Sequence, residues 1–356
     1  MAAMFRPHPT PLSTPPSPSH VFSKPLYRGT AVALAAAGLL VLAGCPQKEA
    51  QAPSASTAAP AAAAAPAAPA VTAVAAAPAP AAAAPATPAT ASASLKRAEL
   101  MALVFPDSQG PAAKPGQPDT VSLPEIGNDG KAVPGSAAEQ NARVSPREVV
   151  KLDDTHAVLL TETVPVDDQG QPMDGHVNGA WLGAYFFEQG PEGWKLASRE
   201  DGVDYLGFMG NLGTTKVERT APQRFALTIT NGSCWQGYCG QWLSVYALEA
   251  GKVRAVASAI PLSASNEGAD EACEKVLKSE KPEEAPRGAC YDINGTPAFA
   301  AGPDDGTPGE MRIAFKGERT AGPKGRRVET VDSTLVYAWR KDAYVLTEGR
   351  NPVPSF

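Results

Sequence analysis

The chain has 356 residues, 36 prolines and a formal charge of −6. Its first 44 residues contain three basic side chains (Arg6, Lys24 and Arg28) and no acidic one, so the remainder has 28 basic against 37 acidic residues and carries −9. Nucleic-acid binding relies on clustered Lys and Arg that displace counterions from phosphates. We therefore expect no nucleic-acid partner.

The N-terminal segment has the features of an export signal. Lys24 and Arg28 precede a 14-residue apolar run at residues 31–44. A positive flank followed by an apolar run of 7–15 residues is typical of a secretory signal, whereas a membrane-spanning helix needs about 20 apolar residues. The sequence therefore predicts that residues 1–44 are a signal peptide.

The end of this run, Leu42-Ala43-Gly44-Cys45, resembles the lipobox of bacterial lipoproteins. The resemblance implies cleavage before Cys45 and acylation of Cys45, including a palmitate-type chain. The lipid bilayer is then a partner, because two or three acyl chains give nearly permanent anchoring. In Gram-negative lipoproteins an Asp after the cysteine tends to retain the protein in the inner membrane. The resemblance therefore implies that Pro46 at this position favours the outer membrane if the cell is Gram-negative, on the periplasmic or the surface side. The alternative is a plain signal peptide or uncleaved anchor with an incidental cysteine.

Residues 45–94 are predicted to be a lipidated cysteine followed by a disordered linker. Residues 46–94 contain 26 Ala and 9 Pro. The recurring prolines interrupt any helix that the alanines would favour. Such a tether, partly polyproline-like, has an extended limit of roughly 150 Å, which can hold a domain well away from a membrane.

The globular domain is predicted to span residues 95–356. Leu100, Met101 and Val104 recur at helical spacing, which predicts a short helix over 95–104 with Ser94 as its N-cap and Pro106 as its stop. Residues 106–142 are rich in Gly, Pro and Ala and are predicted to be a long loop. The core is then expected at residues 143–356, long enough for one domain.

Alternating β-branched and aromatic residues with short turns predict strands through this core. The predicted strands are 149–150, 158–163, 182–187, 194–198, 224–230, 242–248, 253–260, 311–316, 335–339 and 343–347. Asn231-Gly232 is a strong turn signal after residue 230. The expected fold class is mainly β, an antiparallel β-sandwich or barrel with one short N-terminal helix, preceded by the disordered tether.

Four cysteines remain in the domain, and an even count in an exported protein favours disulfides. Three pairings are open. We predict Cys234–Cys239 and Cys273–Cys290, because these cysteines are nearest in sequence. A zinc site is the alternative, but the spacing is a poor match and no His lies nearby.

Candidate catalytic groups are sparse. His156 and His176 are the histidines that follow the signal segment, and the chain lacks the GxSxG elbow of many hydrolases. Acidic pairs occur at Asp167-Asp168, Asp270-Glu271 and Asp304-Asp305. Paired carboxylates can cleave glycosides or bind calcium, but acids are also common in turns for local hydrogen bonding. We assign no catalytic residue, no metal ligand and no cofactor.

The segment from Gly232 to Trp242 is unusually rich in glycine, cysteine and aromatic residues. A disulfide would hold a glycine-rich tip carrying Trp235, Gln236 and Tyr238. Rigid aromatic side chains offer contact area at low entropic cost, so these three residues form a candidate binding tip for a protein or a glycan. In the alternative, Trp235 and Trp242 turn inward and fill the core.

The sequence thus predicts a membrane-anchored lipoprotein of the cell envelope. Its expected role is non-enzymatic, as a binding, inhibitory or scaffolding domain for a cell-envelope protein or glycan. The alternative is an envelope hydrolase that acts on glycan or ester bonds through the acidic loops or His156. A hydrolase would show several polar groups converging in one cleft, whereas a binding module would show an exposed aromatic patch.

Overall fold

A computed structural model describes residues 89–128, 130–278, 288–304, 306–321 and 327–355. The predicted signal peptide, the lipobox with Cys45 and most of the predicted linker lie outside the described residues. None of the helices in the described ranges is long and apolar enough to span a membrane.

The first of two antiparallel sheets has five strands, each paired with the next along the chain. They are β1 (Asp119–Leu123), β2 (Ala138–Lys151), β3 (His156–Pro165), β4 (Ala180–Gly190) and β5 (Gly193–Leu206). Two short helices precede them, α1 (Arg97–Val104) and α2 (Pro106–Gln109). The described chain joins this sheet early, because Ser92 forms two backbone hydrogen bonds with Trp194 at 2.8 and 2.9 Å.

The second sheet has eight strands, again paired in chain order. They are β6 (Thr214–Ala221), β7 (Arg224–Trp235), β8 (Tyr238–Glu249), β9 (Lys252–Ser265), β10 (Tyr291–Phe299), β11 (Met311–Ala321), β12 (Arg327–Arg340) and β13 (Ala343–Glu348). A third helix, α3 (Glu271–Leu277), lies between β9 and β10.

The central strands of the five-stranded sheet, β3 and β4, are buried on both faces. Alternate residues of β3 and β4, such as Val158 and Leu182, pack with Leu227 and Tyr246 of the second sheet. The intervening residues, such as Tyr185, pack on the opposite face against α1, Phe105 and β1. Because successive strand residues point to opposite faces, β3 and β4 read as nearly continuous apolar runs.

The eight-stranded sheet encloses a second core of its own. This core draws residues from β7 to β13, including Val245, Ile293, Phe315, Leu335 and Tyr344. β13 approaches β9 to within 8 Å between Cα atoms although the two strands are not hydrogen-bonded neighbours. Four strand spacings in a flat sheet would place them about 19 Å apart, so this sheet curls. The predicted mainly antiparallel β class is confirmed.

Several predicted boundaries are wrong. α1 begins at Arg97 with Lys96 as its N-cap residue, and Ser94 instead bonds the side chain of Glu99. The predicted loop at residues 106–142 contains α2, β1 and the start of β2. Proline explains part of this error: Pro106 occupies the first turn of α2, where no amide donor is needed.

The strong turn signal at Asn231-Gly232 is also overridden. Both residues lie inside β7, paired with Trp242 and Gln241, and the chain turns at Gln236-Gly237. The ladder continues beyond the Asn-Gly pair to the Cys234–Cys239 cross-link. β6, β10 and α3 were not predicted. β10 contains Gly295 and Pro297, which mask its strand pattern.

Candidate functional site

The tip of the β7–β8 hairpin combines a disulfide with a tight turn. Cys234 lies directly opposite Cys239, and their Cα atoms are 4.0 Å apart. Gln236 and Gly237 connect the strands with φ of 50° and 83°. A type I′ hairpin turn needs positive φ at both positions, which suits the twist of the strands. The predicted Cys234–Cys239 disulfide is confirmed, and it closes the hairpin within two residues of the turn.

The aromatic side chains of this tip lie at the surface. Trp235 is 63 % exposed and Tyr238 is 44 % exposed, and Gln236 between them is also exposed. The alternative in which Trp235 turns into the core is therefore wrong. Trp242, by contrast, is half-buried against Phe208, with ring centroids 5.9 Å apart. We call Trp235, Gln236 and Tyr238 the tip surface.

His176 supports the tip surface from the other sheet. It lies in the connection between β3 and β4, and its ring meets the Trp235 ring edge-on at 5.2 Å. Its Nε2 atom lies 3.3 Å from the carbonyl oxygen of Cys234. An edge-to-face pair of this kind restricts the Trp235 ring. His176 thus has a positioning role here, on the evidence of its contacts.

A second loop supports the turn from below. A Cβ atom at Gly237 would collide with the backbone of Gly268 and Ala269, so only glycine allows this approach. Asn266 begins that loop; it is buried, its Nδ2 donates to Ala289 O at 2.7 Å, and its Oδ1 accepts from Tyr291 N at 2.9 Å. The loop is thereby attached to the start of β10.

The second predicted disulfide lies just beyond this loop and is also confirmed. Cys273 in α3 is linked to Cys290, with Cα atoms 5.2 Å apart, and both side chains are buried. All four domain cysteines are therefore used in disulfides, and none can serve as a zinc ligand. In the described part of the chain no three His, Cys, Asp or Glu side chains come together as metal ligands.

The connection between β5 and β6 completes this end of the molecule. Phe208 packs on Trp242, and Met209 beside it is 57 % exposed with a φ of 54°. Gly210 N donates to Asn178 O at 2.9 Å, which ties this connection to the loop that carries His176. Sequence reasoning missed Phe208 and Met209. The one available signal was the glycine spacing at 207, 210 and 213, since all three have positive φ.

His156, the candidate catalytic histidine, serves its own turn between β2 and β3. Its Nδ1 lies 2.9 Å from Asp153 Oδ2. Asp153 Oδ1 also accepts from the backbone N–H groups of Thr155 and His156, at 2.7 and 2.8 Å. These hydrogen bonds lower the pKa of Asp153 to about 2, and the bond from the Thr155 N–H group has the largest effect. The pair is a turn-stabilising arrangement.

Two of the acidic pairs likewise accept hydrogen bonds within their own turns. Asp167 accepts from the backbone of Gln169 and Gln171 at 2.9 and 2.8 Å. Asp304 accepts hydrogen bonds from the backbone N–H groups of Gly306 and Thr307 at 2.9 and 2.7 Å. These bonds lower the pKa of Asp304, and the bond from Gly306 has the largest effect. Of the partners in these pairs, Asp168 lies in the same exposed turn as Asp167, whereas Asp305 lies outside the described residues.

The third acidic pair belongs to a helix start. Asp270 is the N-cap of α3, and its Oδ1 accepts from Ala272 N at 2.9 Å. Glu271 is the first residue of the helix, where a carboxylate interacts favourably with the helix dipole. Both acids thus have ordinary capping roles.

One buried acid that the sequence analysis does not single out, Asp201, stabilises the fold. Asp201 accepts from Ser122 N at 2.8 Å, from Tyr185 Oη at 2.9 Å and from Arg199 Nε at 2.7 Å. The Arg199 guanidinium also lies 4.8 Å from the centre of the Phe105 ring. The Asp201 carboxylate therefore has a structural role, because each of these hydrogen bonds offsets part of the hydration that the carboxylate loses on burial.

Comparison with known proteins adds no assignment to this geometry: no family model, curated protein sequence or solved structure matches the chain. The site is therefore defined by its contacts alone. It is an exposed, cross-linked aromatic tip, supported by one loop from each sheet.

Proposed function

We propose that this protein is a lipid-anchored component of the bacterial cell envelope whose β-domain binds an envelope partner, a protein or a glycan, without catalysing a reaction. In this proposal Cys45 carries the acyl chains, the part of residues 46–94 that precedes Ser92 forms the tether, and the tip surface makes the contact. The location is the outer membrane of a Gram-negative cell.

The exposure of Trp235 and Tyr238 on a cross-linked tip is the observation that carries the binding proposal. Large aromatic side chains are usually buried, and a held aromatic pair binds with little further loss of conformational entropy. The non-enzymatic part is supported by His156, Asp167 and Asp304, each of which is engaged in its own turn.

The position of the chain entry favours the same arrangement. Ser92 pairs with Trp194 beside the β4–β5 turn. The loop that carries His176 lies at the opposite end of the same two strands, where Asn178 O accepts a hydrogen bond from Gly210 N. β5 has 14 residues, which span about 40 Å at the usual rise per residue. A tether entering at Ser92 would thus leave the tip surface at the far end of the domain.

The anchoring is tested on protein purified from the native membrane. Mass spectrometry of the N-terminal peptide is expected to find a chain that starts at Cys45 and carries acyl groups. Retention of residues 1–44 without any acyl mass would overturn the proposed anchoring and the location with it.

The binding role is tested in intact cells with a photo-reactive amino acid in place of Gln236. We expect a discrete cross-linked product that disappears when Trp235→Ala is added. Leu346, an exposed apolar residue of β13, is the matched control position. Equal products from both positions, or a product at Gln236 that survives Trp235→Ala, would contradict the proposal.

A further inference from the structure

A groove of about 660 Å³ runs beside the β7–β8 hairpin. Phe208 and Met209 line one side of it, while Gln241, Ser263 and Asn294 line the sheet side. The tip residues Trp235 and Tyr238 are not among its lining residues. The groove is therefore a surface distinct from the tip surface, although it uses the same hairpin.

The sheet side of the groove is a row of polar side chains. Gln241 pairs with Ser263, and Ser263 pairs with Asn294, across β8, β9 and β10. Directly paired residues in antiparallel strands place their side chains on the same face. Neighbouring strands are about 4.8 Å apart, so the row offers an amide, a hydroxyl and an amide at regular intervals.

A second row lies two residues further along the same strands. It consists of the disulfide pair Cys234 and Cys239, then Ser265 and Asp292. All four residues also line the groove. This row is covalently fixed at one end, which gives the groove a rigid boundary on the side of the hairpin tip.

The groove is nearly uncharged. Asp292 is the single ionisable side chain among its described lining residues, and its Oδ1 already accepts from Asn294 Nδ2 at 3.2 Å. The side chains of Asn231, Gln241 and Ser263 form no hydrogen bond with another residue of the described ranges. Amides and hydroxyls both donate and accept, so this surface matches a neutral ligand that does the same.

The backbone along the row is already used. Gln241 lies in a strand with neighbours on both sides, and so does Ser263. An extended peptide that adds to a sheet needs unpaired backbone groups at an edge. Recognition at this row must therefore come from side chains, which favours a ligand rich in hydroxyl and amide groups over a peptide strand.

We infer that this groove binds a segment of a neutral, polyhydroxylated glycan. Gln241, Ser263 and Asn294 exchange hydrogen bonds with its hydroxyl or N-acetyl groups. Phe208 and Met209 cover its less polar face. This inference goes beyond the proposed role of the tip surface, since it assigns a second site with a stated ligand class.

The test uses the full-length protein purified from membranes in detergent. Isothermal titration calorimetry is carried out with tetramers of N-acetylglucosamine, of β-linked glucose and of α-linked glucose. We expect saturable binding of at least one tetramer. The double variant Gln241→Ala with Asn294→Ala is expected to weaken it about tenfold, because it removes the hydrogen bonds that these two side chains form with the glycan.

The matched control is Gln140→Ala with Asn141→Ala, an adjacent Gln-Asn pair on β2 that does not line the groove. It is expected to leave binding unchanged. Absence of binding to all three tetramers at millimolar concentration would overturn the inference, as would equal binding by the groove and control variants.

The two proposals fail separately. A Trp235-dependent cross-link without glycan binding would leave the tip surface supported and the glycan site wrong. Glycan binding that is lost with Gln241 and Asn294, without any cross-link at Gln236, would do the reverse. Binding of an extended peptide in place of the tetramers, lost in the same groove variant, would also show the ligand class to be wrong.

Discussion

The hydroxyl of Tyr246 donates a hydrogen bond to Oδ2 of Asp204 at 2.8 Å. Tyr246 lies in β8 of the eight-stranded sheet and Asp204 in β5 of the five-stranded sheet, so this bond links the two layers across their shared core. Burial, and then the charge of Asp204, raises the pKa of Tyr246. The hydroxyl therefore stays protonated and continues to donate well above neutral pH.

Tyr246→Phe is expected to lower the free energy of unfolding by about 1–2 kcal/mol, because Asp204 loses a donor in a part-buried position. Asp204 keeps its Oδ1 bond from Tyr205 N at 2.9 Å, which limits the loss. Urea denaturation measures the effect. Tyr238→Phe at the exposed tip is the control and is expected to change stability by less than about 0.5 kcal/mol. If both changes lowered the free energy of unfolding equally, the hydrogen bond between Tyr246 and Asp204 would make no specific contribution to stability.

Gly237→Ala is expected to destabilise the tip more than a matched change elsewhere. Gly237 and Gly251 both have positive φ, 83° and 75°, so alanine is strained at each by roughly 1 kcal/mol. A Cβ at Gly251 meets nothing within 4 Å, whereas one at Gly237 collides with the 268–269 backbone. Hydrogen exchange at the tip is expected to accelerate in Gly237→Ala only. Identical exchange in both variants would refute this explanation for the glycine.

The two disulfides are expected to contribute unequally to stability. The bridged cysteines are 5 residues apart in Cys234–Cys239 and 17 apart in Cys273–Cys290. By chain entropy the shorter loop is worth about 2 kcal/mol and the longer about 3 kcal/mol. Paired Cys→Ala variants, compared by urea denaturation, measure the difference. A larger loss on removing the shorter bridge would show that local packing, not loop length, dominates.

The Cys273–Cys290 bridge is also expected to affect the tip from a distance. It adjoins the loop whose Gly268 contacts Gly237. Removing it is therefore expected to increase hydrogen exchange at residues 234–239 without touching them. Unchanged exchange there would indicate that the hydrogen bonds of Asn266 suffice to hold the loop.

Acid sensitivity is expected where the chain enters the domain. Glu99 Oε2 accepts from the hydroxyls of Ser92 and Ser94 at 2.7 and 2.8 Å, and Lys96 lies close by. These donors lower the pKa of Glu99 from 4.5 to about 2, and the hydrogen bond from Ser92 has the largest effect. Since the folded pKa is the lower one, this contribution to stability is complete above pH 4.5 and is lost as the pH falls towards 2.

An NMR titration of the Glu99 carboxyl carbon tests this assignment. Ser92→Ala with Ser94→Ala is expected to move its pKa up towards 4.5. Ser136→Ala, whose hydroxyl bonds the backbone of Glu125 instead, is the control and is expected to leave it in place. A wild-type Glu99 that titrates at its ordinary value would contradict the hydrogen-bonding scheme.

Local patterns predicted much of the fold. Short turns flanked by alternating residues located the hairpins on either side of Gly251 and of Lys341, and both are present. They failed where long-range pairing outweighs local preference. Asn231-Gly232 favours a turn by itself, yet it lies within β7, whose pairing with β8 continues beyond it to Cys234 and Cys239.

The sequence by itself determined the class of fold and the pairing of its nearest cysteines, because these depend on alternation and on short separations along the chain. It left open whether Trp235 is exposed, which the tertiary structure decided. The tertiary structure alone decided what surrounds the tip surface. His176 reaches Cys234 across 58 residues, and Gln241, Ser263 and Asn294 form one row only because three strands pair in register. Such contacts depend on sheet register and curl, which arise from packing of the whole core and leave no local pattern.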